Sequence, residues 1–203
     1  MVRAMLLMAL IAGCGGGKAL PTGSAHSLST APMPDAPFDS DNVDDLGFQP
    51  NDIPGTRHTF EPDSPGERSD ELWKEHLRDN GFQGRWWSDL HHPEAFFFSR
   101  ISLWGGTREA SQAMAYESER PDGLRGHPVG PLTPVPGLGQ EGWCQVLERE
   151  LLQPESTCRF RVANATIDVI VRTDASPPVP FPLGRLQALA MRVSERAEAL
   201  ARQ

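Results

Sequence analysis

Three cysteines hold the most specific chemistry in the chain: Cys14, Cys144 and Cys158. Cys144 falls in a strand-like run, Gly142 to Leu151, and Cys158 in a second, Thr157 to Ala163, with the turn-forming Pro154-Glu155-Ser156 between them. Antiparallel strands joined in this way bring the two thiols close to facing positions, so a cross-strand disulfide is geometrically reasonable. It would close a loop of about 15 residues, for which chain entropy gives roughly 3 kcal/mol. The alternative is a pair of reduced core cysteines. Zinc would need a second pair at ligand spacing, and there is none.

Other reactive side chains are less organised. His91-His92-Pro93-Glu94, with His76, has the residue types of a metal site. Adjacent histidines on an extended segment point to opposite sides, so both rarely serve one ion, and solvated loop histidines are expected instead. Asp39, Asp41, Asp44 and Asp45 are too irregular for a calcium loop. The sixth and twelfth positions, which need glycine and glutamate, hold Asp44 and Pro50. No Gly-x-Ser-x-Gly elbow occurs. Val135-Pro136-Gly137-Leu138-Gly139 opens a strand, not a helix, and reads as a tight turn and not a phosphate loop. Carboxylates are plentiful, but nothing singles out a catalytic pair. The expectation is a non-enzymatic chain with no catalytic residues, no metal and no cofactor.

Five tryptophans remain: Trp73, Trp86, Trp87, Trp104 and Trp143. Most large aromatics are core residues. Trp86-Trp87, flanked by Arg85 and Asp89, is the pair placed to leave one ring exposed, because neighbours on an extended stretch face opposite ways. Trp86 and Trp87 are therefore the candidate ligand-stacking residues.

Cys14 belongs to a different chemistry. Before it come one cation, Arg3, then an unbroken apolar run from Ala4, then the small residues Ala12 and Gly13. That order is the grammar of an export signal. The run is too short to cross a bilayer, which takes about 20 apolar residues. The ending Leu10-Ile11-Ala12-Gly13-Cys14 resembles the lipobox of bacterial lipoproteins. The resemblance implies cleavage before Cys14 and a diacylglycerol on its thiol. Two or more acyl chains hold a protein firmly at a membrane where one does not.

The elements that would position these groups follow in order. Residues 1–13 form the signal peptide. Residues 14–56 form a lipidated, disordered tether rich in proline and glycine, with Lys18 against six aspartates. Inside the tether, Phe38, Val43, Leu46 and Phe48 are an apolar exception able to dock on the body. Residues 57–203 form one domain. Ser64-Pro65-Gly66-Glu67 has capping-box form, predicting a helix that stops at Asn80-Gly81. Ala95 to Trp104 predicts a strand, and Arg108 to Glu119 a helix. Gly142 to Leu151, Thr157 to Ala163 and Thr166 to Arg172 predict a three-stranded meander, with Asn164-Ala165 as its last turn. Asn164-Ala165-Thr166 is formally a glycosylation sequon. Leu183 to Ala201 is the clearest helix, with an apolar stripe through Leu186, Ala190, Val193 and Ala197. The fold class is α+β: an antiparallel sheet with a C-terminal meander, covered by amphipathic helices including a long C-terminal one.

These features, from the lipobox through the Pro- and Asp-rich tether to Val135-Pro136-Gly137-Leu138-Gly139-Gln140 and the Arg161 to Val169 hairpin, are similar to small cell-envelope lipoproteins of high-GC Gram-positive bacteria. In outline they also resemble the extracellular sensor-like domains on some serine/threonine kinases of those bacteria. Such families are mostly of unknown function, so the resemblance carries over no catalytic residue. The formal charge of −8 disfavours nucleic acid and leaves membrane attachment to the acyl chains. The resulting expectation is a lipid-anchored binding or accessory module on the extracytoplasmic face of the cell membrane, with a protein, lipid or glycan partner in the envelope. A wall-acting enzyme or glycan-binding module is the alternative.

Overall fold

The computed structural model describes residues 33–54, 57–63, 71–92, 95–119, 127–128, 131–148, 154–173 and 179–203. Cys14 and the segment expected to be an export signal, the capping sequence at Ser64, the Trp73 side chain and Pro93-Glu94 lie outside them. Three helices are described: α1 (Glu71–Asp79), α2 (Thr107–Glu119) and α3 (Leu183–Leu200). The strands are β1 (Arg57–Asp63), β2 (Gly84–His92), β3 (Ala95–Leu103), β4 (His127–Pro128), β5 (Thr133–Pro134), β6 (Glu141–Glu148), β7 (Glu155–Val162) and β8 (Ala165–Thr173).

All pair antiparallel in one sheet, in the order β1-β2-β3-β8-β7-β6-β4, with β5 also on β6. The chain thus builds a meander at one edge, crosses by α2 to the other, and meanders back until β8 closes against β3. The expected α+β class, C-terminal meander and long final helix are all present. The first half carries more strand than its sequence predicts. Arg57–Asp63 and the tryptophan segment Gly84–His92 are long paired strands.

Alternation sorts side chains onto two faces. Ile101, Phe160, Ile167 and Val169 point to one, with Cys144 and Cys158, and all are buried. Helix α3 lies there, burying Leu186, Ala190, Val193 and Ala197. Local chemistry ends the elements where they end. Gly81 closes α1 in a left-handed conformation (φ 59°). Its N–H donates to Arg78 O (3.2 Å) and the Phe82 N–H to Leu77 O (2.9 Å), the two bonds of a Schellman cap. A side chain at Gly139 (φ 59°) would collide with the Arg161 carbonyl, and the Gly139 N–H donates to Ser194 Oγ (2.8 Å), so the Pro-Gly segment is a turn clamped onto β7 and α3.

Residues 33–54, expected to be part of the tether, are packed on the body. They form a strap across the apolar face, because Phe38, Val43, Leu46 and Phe48 have a core to enter. They are 3, 1, 0 and 0% exposed. The strap's backbone is satisfied by body side chains. Phe48 N–H donates to Ser99 Oγ (2.8 Å), and Ser88 Oγ donates to Phe48 O (2.9 Å). Arg196 of α3 donates to Asp45 O (3.2 Å) and to the Asp52 carboxylate (3.0 Å). At the β7–β8 turn, which falls on Ala163-Asn164 one residue earlier than predicted, the buried Asn164 side chain receives Phe38 N–H (3.2 Å) and donates to Phe38 O (2.9 Å) and Trp104 O (3.2 Å).

Candidate functional site

The opposite face of the sheet is polar and charged, and register lines its residues up in rows. Glu61, Trp87, Arg100, Asp168, Arg159 and Trp143 stand opposite one another across β1, β2, β3, β8, β7 and β6. Arg100 and Arg159 both bind the Asp168 carboxylate. Each also sets its guanidinium over an indole, Arg100 at 5.8 Å from the Trp87 ring and Arg159 at 5.5 Å from Trp143. The three charged residues are almost fully buried. Burial alone would push the Asp168 carboxyl up, but Arg100 and Arg159 outweigh it and hold the pKa at about 2. Glu117 of α2 closes the set by pairing with Arg159.

Helix α2 covers the β7–β8 end of this face, with Ala110, Ala113 and Met114 buried and Ser111 donating to Glu141 (2.7 Å). The row emerges at the β1–β2–β3 end. There a cleft of about 410 Å³ is lined by Thr59, Glu61, Trp87, Asp89, Phe98 and Arg172. Its aromatic wall is continuous: Trp87 meets Phe98 edge-on at 6.4 Å, and Phe98 stacks on Phe96 at 6.4 Å and 17°. Phe96 is 38% exposed. Arg172 lies 4.9 Å over the Phe98 ring while its Nε donates to Glu155 (2.8 Å).

Asp89 lines the cleft, and its Oδ1 is shielded from solvent and makes no hydrogen bond among the described residues. Burial raises its pKa above the usual carboxylate value. His91 pulls the other way, and Glu61 adds to the rise. The cleft therefore combines flat aromatic surface with an unsatisfied acceptor, the pairing that suits a ligand with apolar faces and hydroxyl edges.

The residues expected from the sequence are distributed as follows. Trp87 is in the cleft. Trp86 points to the other face, against the core, with its six-membered ring 2.5 Å from where a Cβ on Gly84 would sit. Cys144 and Cys158 face each other on β6 and β7 and are joined in a buried disulfide. His91 is exposed on the cleft side of β2, and His92 is half-buried on the other. His76 is buried, stacked on Tyr116 (3.9 Å, 13°) and edge-on to Trp104. Among the described residues no three His, Cys, Asp or Glu side chains gather as a metal site would require. Asp89, Phe98, Arg172 and the Asp168 ladder did not stand out in the sequence. The available signal was the Arg85, Trp87, Asp89, His91 alternation, which is visible once 84–92 is taken as a strand.

No family model and no curated protein sequence matches the chain. Among solved structures, it is similar to the extracellular domain of PknH from Mycobacterium tuberculosis, with a TM-score of 0.45 and 9% identity over 78% of this chain and 92% of that one.

Proposed function

We propose that the protein is a lipid-anchored, extracytoplasmic binding module of a bacterial envelope, and that its ligand is a glycan held in the Trp87–Phe98–Asp89 cleft. The lipobox-like sequence ending at Cys14 supports the anchor and the location. A disulfide is at home in an oxidising compartment and agrees with both. The observation that carries the ligand class is the half-buried Asp89 carboxylate lining the cleft beside the Trp87 and Phe98 rings, with an oxygen that no described residue hydrogen-bonds. A sugar offers C–H faces to Trp87 and Phe98 and a hydroxyl to Asp89.

Calorimetric titration with soluble N-acetylhexosamine oligomers tests this. Loss of a hydrogen bond to a charged group costs about 1.5–3 kcal/mol, so Asp89→Asn should weaken binding about tenfold or more, and Trp87→Ala similarly. Equal affinity in both variants, or no glycan binding by the parent protein, would refute the assignment.

One observation favours a second reading. A carboxyl with a raised pKa in an open cleft, beside another carboxylate in Glu61, has the makings of a general acid. A wall-acting hydrolase would release reducing ends from the same oligomers and lose that activity in Asp89→Asn. A binding module would return them uncleaved.

A further inference from the structure

A second cleft opens on the other side of the molecule, where the strap meets α3. Its volume is about 550 Å³, within the range of small-molecule sites. Phe97 and Phe181 floor it with rings packed edge-on at 5.8 Å. Ile53 and Pro54 of the strap form one wall, and Ala188 and Leu189 of α3 the other. None of these six side chains can satisfy a polar ligand group; the polar lining comes from Asp52, Arg185 and Arg192. Arg185 and Arg192 lie two helical turns apart, on the same stripe as Ala188, and both are exposed. Arg185 sits 5.2 Å over the Phe181 ring, and Arg192 donates to the Asp52 backbone carbonyl (3.2 Å). Among the described residues neither has a carboxylate partner, and the acid at the cleft, Asp52, is already engaged by Arg196. Two uncompensated cations beside an apolar slot are notable in a chain of net charge −8.

We propose that this cleft binds a long-chain fatty acid, its carboxylate at Arg185 and its tail along Phe181, Phe97, Leu189 and Ile53. Apolar lining supplies affinity for the alkyl chain, and the Arg185 guanidinium selects an anionic head over a neutral one. The site is independent of the glycan reading, since the two clefts lie on opposite faces of the sheet.

The test uses the full chain carrying Cys14→Ser, so that no acyl group is attached, and displacement of a fluorescent fatty acid by palmitate below its micelle concentration. Saturable, one-to-one displacement is expected. Hexadecanol, with the same tail and no charge, should compete about tenfold less well, and Arg185→Glu should weaken palmitate by about the same factor. Ala188→Trp places an indole in the slot from an exposed helical position and should abolish displacement while leaving the melting temperature and any glycan binding unchanged. Absence of palmitate binding overturns the proposal. So does hexadecanol matching palmitate, or an Ala188→Trp variant that folds normally and still binds.

Discussion

Replacing Phe48 with alanine separates a strap from a tether. Phe48 is fully buried, meets Phe97 edge-on at 6.4 Å, and has both backbone polar groups satisfied by Ser99 and Ser88. Removing the ring forfeits the transfer free energy of a buried aromatic side chain, about 1.5–3 kcal/mol. It also leaves space between α3 and the sheet that a packed core does not refill, raising the total to about 3–5 kcal/mol. For a domain of this size each kcal/mol moves the melting temperature by about 2–4 °C, so a fall of roughly 10 °C is expected. The matched control is Phe96→Ala. That ring is 38% exposed on the other face and should cost about 1 kcal/mol or less. Urea denaturation followed by tryptophan fluorescence gives both values, and an unchanged slope will show that the unfolded surface is the same. If Phe48→Ala unfolds within 0.5 kcal/mol of the parent, residues 33–54 contribute nothing to stability and the strap is only a tether lying on the surface.

Four further outcomes are expected. Reducing the Cys144–Cys158 bridge frees a loop of about 15 residues and should cost roughly 3 kcal/mol, read as a lower melting temperature in reductant; an unchanged melt with two titratable thiols beforehand would rule the bond out. Asp168→Asn should cost about 3–5 kcal/mol by removing the buried charge that Arg100 and Arg159 share, whereas Asp89→Asn should be neutral or slightly stabilising, since burial already disfavours its charge. Because Asp168 titrates at about 2 when folded and near 4 when unfolded, its contribution is complete above about pH 4. Roughly 2–3 kcal/mol should be lost as pH falls from 4 to 2, and Asp168→Asn should flatten that part of the stability curve. Cys14→Ala should appear in the soluble fraction or remain unprocessed; a processed variant still needing detergent for extraction would defeat the lipid anchor.

The C-terminal half was legible because each strand there alternates cleanly. Cys158, Phe160 and Val162 against Arg159 and Arg161 give face, register and disulfide together. The first half was not. In β2 the sequence Arg85-Trp86-Trp87-Ser88-Asp89-Leu90 puts a large aromatic on both faces, since one packs against the core and the other lines a cleft. A period-two signal vanishes when both faces are partly buried. The strap was obscured differently. Its aspartates and prolines read as disorder by composition, yet the four apolar residues find a groove that α3 creates more than 130 residues later, information no local window contains. The cleft residues were missed for a related reason. Asp89, Phe98 and Arg172 converge only through the β2–β3–β8 pairing.

The β7–β8 turn has a practical corollary for anyone producing this protein. Asn164 is the acceptor position of Asn164-Ala165-Thr166, and in the folded chain its amide nitrogen is fully enclosed, donating to Phe38 and Trp104 carbonyls. A eukaryotic secretory host attaches sugar while the chain is still emerging, before that hairpin has closed on the strap. A glycan installed there would hold Phe38 off the sheet and leave its pocket open. Secretion from yeast or animal cells should therefore give a heavier, less stable product, and a bacterial periplasm is the compartment in which the bridge can form without that modification.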